Sequence, residues 1–397
     1  MEVSFTFFCS FVYLLKRCLI RIEHWLKEIA KLYQIQPDAD QVLLPFTSRG
    51  GVYDIYLSDN GLSEQDVSKS YFVRIWREQI GAKISLRKHL RFAKCDECVK
   101  NREEKAGTVD RAVLERIKAR EYEHYKFVRN ERGGYYIRRE TARTEPGKYL
   151  SIIIDGADAK DYGVPYFCEA THSSQKLWQI PVYIIGVLVH GRQSHVYCVP
   201  GHFKQGANVI IDVLYRTLKA IVAKGEKLPE TLYLQLDNTV KQNKNRFLLG
   251  FLGMLVQAGV FKHIILSFLP VGHTHEDIDQ LFSRIVIALL CRNARSYEEL
   301  AGVLRGCYRD KELRRLQIHW VASVRNFSDY ISDYMPGRGQ RGYLEGLMRF
   351  RQFSIRMHVD GFPMVRCRFS TLARDNFRGV ADDTDFTPLF PTTRPAR

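Results

Sequence analysis

Leu150-Ser151-Ile152-Ile153-Ile154-Asp155 decides the fold, because this apolar run has the length of a strand and ends in a carboxylate. The apolar runs after it fall into two groups, one with the pattern of strands and one with the spacing of helices. Their composition and spacing predict strands at 178–190, 194–199, 231–236 and 264–269, and helices at 207–224, 243–258 and 274–290. The predicted order is therefore three strands followed by alternating helices and strands.

This order predicts an α/β protein with a ribonuclease-H-like core. In that architecture an acid on the first strand lies beside an acid after the fourth strand, and a third acid comes from a later helix. Asp155 and Asp237 occupy the first two positions. Each also has a simpler explanation, because Asp155 fits a turn beside glycine and Asp237 fits a helix cap.

The third acid is predicted in the stretch Gly272-His273-Thr274-His275-Glu276-Asp277-Ile278-Asp279, which follows an apolar run. Acids in a first helical turn suit the helix dipole, but the dipole does not explain two histidines beside them. We expect Asp279 to be the third acid, with Glu276 and Asp277 as the substitutes. The histidines His273 and His275 are candidates for moving a proton or orienting water.

Three clustered acids indicate a divalent-metal site. Mg²⁺ and Mn²⁺ prefer carboxylate oxygens and water, and two such ions can act together in phosphoryl transfer. We therefore expect Asp155, Asp237 and Asp279 to bind two Mg²⁺ or Mn²⁺ ions. Asn238, Glu276 and Asp277 are further candidates for contacting these ions or a phosphate.

The charge of the chain predicts a polyanionic partner. The formal net charge is +16, and the segment 69–148 has 22 Lys or Arg against 12 Asp or Glu. DNA is the expected partner, although a charged helix surface facing solvent would have a similar composition. The candidate DNA-binding residues precede or follow a Cys-x-x-Cys pair: Arg87, Lys88, Arg91, Lys94 and Lys100.

The pair Cys95 and Cys98 has the spacing of half a zinc site, and His89 and His124 are the nearest histidines that could complete it. A redox pair and two buried thiols are the alternatives. The chain has nine cysteines, an odd number scattered through apolar runs, which favours a reducing compartment. Together with a DNA partner, this predicts a nuclear protein.

Composition divides the chain into four predicted regions. They are an N-terminal helical region with loops (1–64), a basic helical region with the Cys-x-x-Cys pair (65–148), the ribonuclease-H-like domain (149–315) and a small C-terminal accessory region with a disordered tail (316–397). The apolar run 3–15 is too short to span a bilayer, so we expect no membrane partner. Assembly into a homo-oligomer is compatible with the sequence.

Four motifs together resemble a eukaryotic family of transposon-derived proteins. They are Phe92-Ala93-Lys94-Cys95-Asp96-Glu97-Cys98, Asp155-Gly156-Ala157-Asp158, Leu236-Asp237-Asn238 and the stretch Val271–Asp279. Members of this family carry a domain of unknown function and look like integrases and transposases. The resemblance implies an acid triad of Asp155, Asp237 and Asp279, with Asp279 where such transposases more often have Glu.

Three functions remain open from the sequence. The first is a transposase- or integrase-like nuclease that acts on DNA by two-metal-ion phosphoryl transfer. The second is a transposon-derived protein that binds DNA without catalysis. The third is a zinc hydrolase, because His273-x-His275-x-Asp277 has the H-x-H-x-D spacing of metallo-β-lactamase-type enzymes.

Overall fold

The computed structural model describes residues 18–32, 41–44, 46, 48–86, 95–157, 162–273, 276–307, 316–335, 346–359, 361–368 and 387–388. Contacts between Cα atoms separate the chain into two compact units. These are Met1–Gly133, the N-terminal unit, and Gly134–Arg397, the C-terminal unit.

Aromatic side chains form the core of the N-terminal unit. Tyr53, Phe72 and Trp76 are fully buried in it. Side-chain oxygens of Ser48 and Ser68 cap two of its helices, which fixes where they begin. The elements around this core are α1 (residues 18–32), β1 (Val42–Leu44), α2 (Arg49–Asn60), α3 (Lys69–Ile75) with a π-helical turn (Trp76–Ile80), and β2 (Ile84–Leu86), which pairs in parallel with β1.

Two charged helices follow, α4 (Asp96–Ala106) and α5 (Arg111–Thr144). Helix α5 has 34 residues and continues through Gly133-Gly134. Glycine lowers helix stability by about 1 kcal/mol relative to alanine. Burial of the next two residues, Tyr135 and Tyr136, offsets that cost and keeps the chain helical.

The C-terminal unit is built on one large sheet with helices between its strands. Among the helices described in the chain, none has the length and apolar character needed to cross a bilayer. The strands are β3 (Tyr149–Gly156), β4 (Gly163–Val164), β5 (Ile180–Val189), β6 (His195–Pro200), β7 (Thr231–Leu236), β8 (His263–Phe268), β9 (Gln317–Trp320), β10 (Gln352–Met357), β11 (Pro363–Arg368) and β12 (Thr387–Pro388). The helices are α6 (Ala207–Ala223), α7 (Arg246–Gln257), α8 (Asp277–Leu290), α9 (Tyr297–Gly306) and α10 (Phe327–Ser332), with 3₁₀ turns at Ser174–Lys176 and Leu347–Arg349.

The strand order is β12-β11-β10-β8-β7-β3-β5-β6-β9, and β4 pairs with β5. Strand β3 is antiparallel to β5 and parallel to β7, and β7 is parallel to β8. Strand β6 is antiparallel to β5 and parallel to β9. The central strands β6-β5-β3-β7-β8 thus form a mixed sheet in an α/β chain, which is consistent with the predicted ribonuclease-H-like core.

Each face of this sheet carries its own helices, because side chains alternate along a strand. On β3, Leu150, Ile152 and Ile154 pack with apolar residues of α6 and α7. Ile153 points the other way and packs with α8, α9 and the C-terminal part of α5. Asp155 has the same parity as Ile153, so it lies on the face covered by α8.

The C-terminal strands correct one expectation. The sequence predicts a small accessory domain there, but β10 pairs antiparallel with β8 and extends the central sheet, followed by β11. Phe353 and Ile355 of β10 are buried in the main core, and this burial favours pairing at the sheet edge over a separate domain. Of the predicted disordered tail, only β12 lies within the described residues.

Candidate active site and cysteine–histidine cluster

Two acids lie at the carboxyl ends of neighbouring parallel strands. Ile153 of β3 is in register with Gln235 of β7. Continuing this register by two residues brings Asp155 level with Asp237, which directly follows β7. Adjacent strands are about 4.8 Å apart, so the pairing of β3 and β7 alone sets these two acids side by side.

The surroundings of Asp155 penalise its negative charge. Its Oδ1 accepts a hydrogen bond from the Gly156 backbone N–H at 2.8 Å. Burial, followed by the charges of Asp237 and Asp279, raises the pKa of Asp155 to about 8. Like charges disfavour ionisation only when they are close, so the structure brings the three predicted acids together.

Side chains of the loop after β7 hold Asp237. Its Oδ1 accepts hydrogen bonds from the Thr239 hydroxyl at 2.6 Å, from the Thr239 backbone N–H at 3.3 Å and from the Asn243 amide. Asn243 also donates to the Thr239 hydroxyl at 3.0 Å. Such a network limits the rotamers of Asp237 and orients its carboxylate.

Asn238, predicted as a cofactor-binding residue, links the same loop to two other segments. Its amide donates to the backbone oxygen of Leu269, which follows β8, and its Oδ1 accepts from Lys244 Nζ at 3.1 Å. Lys244 also donates to the Met348 backbone oxygen at 3.1 Å. Burial, with the charge of Arg351, lowers the pKa of Lys244 to about 8.

Asp279 and Glu276 form a capping box at the start of α8. The Glu276 backbone N–H donates to Asp279 Oδ2 at 2.7 Å, and the Glu276 side chain accepts from the Asp279 backbone N–H. This arrangement satisfies N–H groups that have no partner inside the helix. It places Asp279 one turn into α8 with one carboxylate oxygen fixed.

Asp277 lies in a different environment from Asp279. Its carboxylate accepts from the Tyr135 hydroxyl at 2.7 Å, from Arg139 Nη1 at 3.2 Å and contacts His190 Nε2 at 3.2 Å. Burial alone would raise its pKa, but the hydrogen bond and charge of His190 and the contacts with Tyr135 and Arg139 lower the pKa of Asp277 to about 2. Asp277 is therefore an ionised anchor of α8.

Sequence reasoning missed Tyr135, Arg139 and His190. His190 is buried, and its Nδ1 contacts the Ser151 hydroxyl of β3 at 2.8 Å. These residues stand far from Asp277 in the sequence and belong to no recognisable motif. A weak signal was available, because Tyr135 and Arg139 are one helical turn apart on α5.

Of the two predicted histidines of the motif, His273 lies within the described residues. His273 is buried, and its backbone N–H donates to the Pro270 oxygen at 3.0 Å. His275 lies outside the described residues. The third member of the H-x-H-x-D pattern is Asp277. Its carboxylate already contacts Tyr135, Arg139 and His190, and these contacts do not favour its use as a zinc ligand.

The donor set of the acid cluster fits Mg²⁺ or Mn²⁺. Asp155, Asp237 and Asp279 offer only carboxylate oxygens, the ligands that these hard cations prefer. Burial, followed by the charges of the two other acids, raises the pKa of Asp155, and a bound divalent cation would lower it again.

A second cluster of potential metal ligands belongs to the N-terminal unit. One ligand atom each from Cys95, Cys98 and His124 lies within 4.8 Å of the others. The fourth sequence-predicted ligand, His89, lies outside the described residues. Neither cysteine forms a disulfide, so the cluster offers a Cys/His metal site.

Of the five predicted DNA-binding residues, the structure describes Lys100. It lies on α4 with 68% of its side chain exposed, and its Nζ is 3.8 Å from the Glu104 carboxylate. Arg87, Lys88, Arg91 and Lys94 lie outside the described residues.

Comparison with known proteins gives a family match and a distant structural match. No curated protein matches the chain. A solved structure of the Mos1 transposase paired-end complex with left transposon end aligns at 11% identity over 65% of this chain and 84% of that chain, with a TM-score of 0.29. A TM-score this low does not establish a shared fold, so the fold description rests on the strand order above. Residues 172–361, which include Asp237 and Asp279, match the family model of a domain of unknown function, DUF7869.

Proposed function

We propose that this chain is a transposase- or integrase-like nuclease that acts on DNA phosphodiesters, with Asp155, Asp237 and Asp279 as ligands of two Mg²⁺ or Mn²⁺ ions. The observation that carries the proposal is the register of β3 and β7, which pairs Ile153 with Gln235 and, continued by two residues, would bring Asp155 level with Asp237. Helix α8, which carries the third acid in its first turn, packs on the same face of the sheet. Acids that served only as helix caps or turn residues would have no reason to lie at the same edge of the sheet.

The hydrogen bonds around the acids support a preorganised site. The backbone N–H of Gly156 holds one oxygen of Asp155, and that of Glu276 holds one oxygen of Asp279. Thr239 and Asn243 together hold one oxygen of Asp237. Fixing one oxygen orients the carboxylate before any ligand arrives. When bound, divalent ions would supply charge stabilisation and activation of the attacking oxygen in phosphoryl transfer.

The anchor at Asp277 supports the same proposal from the helix side. Tyr135 and Arg139 of α5 and His190 at the end of β5 converge on the first residue of α8. These contacts hold the helix end against the sheet. Holding this end of the helix would also fix the height of Asp279, two residues later, as a metal site requires.

The decisive experiment compares cleavage of labelled DNA by the full chain and by Asp155→Asn, with Mg²⁺ or Mn²⁺ and with EDTA. We expect metal-dependent cleavage by the wild type. The variant should lose at least about 100-fold in rate, because even outer-shell changes at metal sites cost 10- to 100-fold. Binding of DNA should be retained, since the substitution removes a negative charge.

Asp333→Asn is the matched control, because Asp333 is an exposed acid after α10 in the same unit. It should cleave at the wild-type rate. Equal cleavage by Asp155→Asn and the wild type would rule out the enzyme. Binding of DNA by the wild type without any metal-dependent cleavage would instead identify a catalytically inactive DNA-binding protein.

A further inference from the structure

The cysteine–histidine cluster is formed by helices α4 and α5 and contains none of the three acids of the proposed reaction. We propose that Cys95, Cys98 and His124 bind one structural zinc ion that fastens α4 to α5. Cys95 precedes α4, Cys98 lies in its first turn, and His124 comes from the middle of α5. Thiolate and imidazole ligands in this combination select zinc among the common cellular cations.

The distances between the ligand atoms match a tetrahedral centre. Cys95 Sγ and His124 Nε2 are 3.5 Å apart. Zinc–sulfur bonds of about 2.3 Å and zinc–nitrogen bonds of about 2.0 Å at a tetrahedral angle put sulfur and nitrogen about 3.5 Å apart. The ligand atoms of Cys95, Cys98 and His124 all fall within 4.8 Å, so one ion reaches each with small side-chain adjustments.

Glu97 supplies the outer contact that metal-bound histidines usually have. Its Oε2 lies 2.7 Å from His124 Nδ1, while Nε2 of the same ring faces Cys95. A carboxylate on one ring nitrogen fixes the tautomer and orients the other nitrogen toward the metal. Two buried thiols or a redox pair would not need this arrangement of Glu97 and His124.

Helix α4 buries little of its own surface and therefore needs another contact to hold it in place. It has 11 residues, and its one buried side chain is that of Asn101. Polar contacts join it to α5: Arg120 bonds Asn101 at 2.6 Å and also contacts Glu104, and Lys105 lies 3.1 Å from Glu121. A helix this short is marginal without tertiary packing, and binding of a structural zinc adds directly to folding free energy.

The first measurement is metal content. The full chain, purified from zinc-supplemented cells, should contain one zinc per chain by mass spectrometry. Cys95→Ser, Cys98→Ser and His124→Ala should each lose it. Cys307→Ser, which changes a half-buried thiol in the C-terminal unit, should keep it. Cobalt exchanged into the wild type should give the visible absorption bands of tetrahedral cobalt with thiolate ligands.

The second measurement tests the outer contact and the fourth ligand. Glu97→Gln should keep zinc but bind it about 10- to 100-fold more weakly in competition with a chelator. His89→Ala then tests the other histidine that the sequence predicts as a zinc ligand. Loss of zinc in this variant identifies His89 as the fourth ligand, and retained tetrahedral cobalt bands indicate a different ligand in that position.

Several results would overturn the proposal. They are a wild type that takes up no zinc, a disulfide between Cys95 and Cys98 in the purified chain, or full zinc content in the three ligand variants. If those variants do not fold, the wild type decides: chelation should expose α4 to proteolysis, and added zinc should restore protection. Unchanged proteolysis on chelation would also reject the structural role. Asp155→Asn should keep its zinc, so failure of the proposed nuclease and failure of this site are distinguishable.

Discussion

Asp155 and Asp277 are acids in the same unit whose surroundings act in opposite directions. Two carboxylates and burial raise the pKa of Asp155 to about 8, whereas His190, Tyr135 and Arg139 overcome burial and lower the pKa of Asp277 to about 2. Environments that shift the pKa values of two acids in opposite directions often distinguish a functional group from a supporting one. Here the destabilised acid is the candidate ligand, and the stabilised acid anchors its helix.

The raised pKa of Asp155 predicts a pH-dependent loss of stability in EDTA. The folded chain holds a proton on Asp155 up to about pH 8, whereas the unfolded chain releases it near the ordinary value of 3.8. The free energy of unfolding should therefore fall as pH rises from about 4 to about 8. Asp155→Asn avoids this loss and should be more stable than the wild type at pH 8 by more than about 1 kcal/mol.

Urea unfolding followed by circular dichroism at several pH values measures this difference. The advantage of Asp155→Asn should shrink toward pH 4, and Mg²⁺ or Mn²⁺ should stabilise the wild type more than the variant. Asp333→Asn should follow the wild type throughout. A variant that is less stable than the wild type at pH 8 in EDTA would contradict the electrostatic description of the cluster.

At the scale of elements, a glycine of β5 sets how closely α8 approaches the sheet. Gly186 is in register with Asp155, and a Cβ atom there would lie 3.0 Å from the Phe282 ring and 3.2 Å from Leu281. Gly186→Ala should therefore displace α8, reduce the free energy of unfolding by about 1–3 kcal/mol and slow cleavage, because α8 carries Asp279. Thermal unfolding and the DNA cleavage assay measure both effects.

Gly302→Ala is the matched control for this change. Gly302 lies in α9 with no atom within 4 Å of an added Cβ, so alanine should be neutral or stabilise by up to about 1 kcal/mol through helix propensity. Its cleavage should equal that of the wild type. If Gly186→Ala matches Gly302→Ala in both assays, close packing of α8 on β5 is not what positions Asp279.

The elements show which parts of the site a sequence can predict. Strand β7 was predicted with its observed bounds, because Leu232, Leu234 and Leu236 alternate along one buried face. Asp155 and Asp237 could be paired from the order of strands. The support of Asp277 could not be predicted, because Tyr135 and His190 meet it only through tertiary packing. The continuation of α5 through Gly133-Gly134 depends on the burial of Tyr135 and Tyr136 in the same way.

At the scale of the whole molecule, the charge distribution would let the proposed nuclease bind DNA and cleave it with different segments of the chain. The chain has a net charge of +16, with a surplus of 10 positive charges in the segment 69–148. The candidate acids follow that segment in the sequence. A basic segment attracts DNA through its phosphates without reading bases, which suits an enzyme whose chemistry is directed at the backbone.

DNA binding by the full chain should therefore weaken steeply with salt, because each neutralised phosphate releases counterions. Fluorescence anisotropy with Asp155→Asn in increasing NaCl measures this without cleavage. In that background Lys100→Gln should make the log–log slope shallower by about 1, the expected effect of losing one phosphate contact. Lys262→Gln is the control, because Lys262 lies outside the basic segment. Its side chain is 73% exposed, close to the 68% of Lys100, and both lysines pair with a glutamate. Equal slopes for the two lysine variants would show that Lys100 does not contact the DNA backbone.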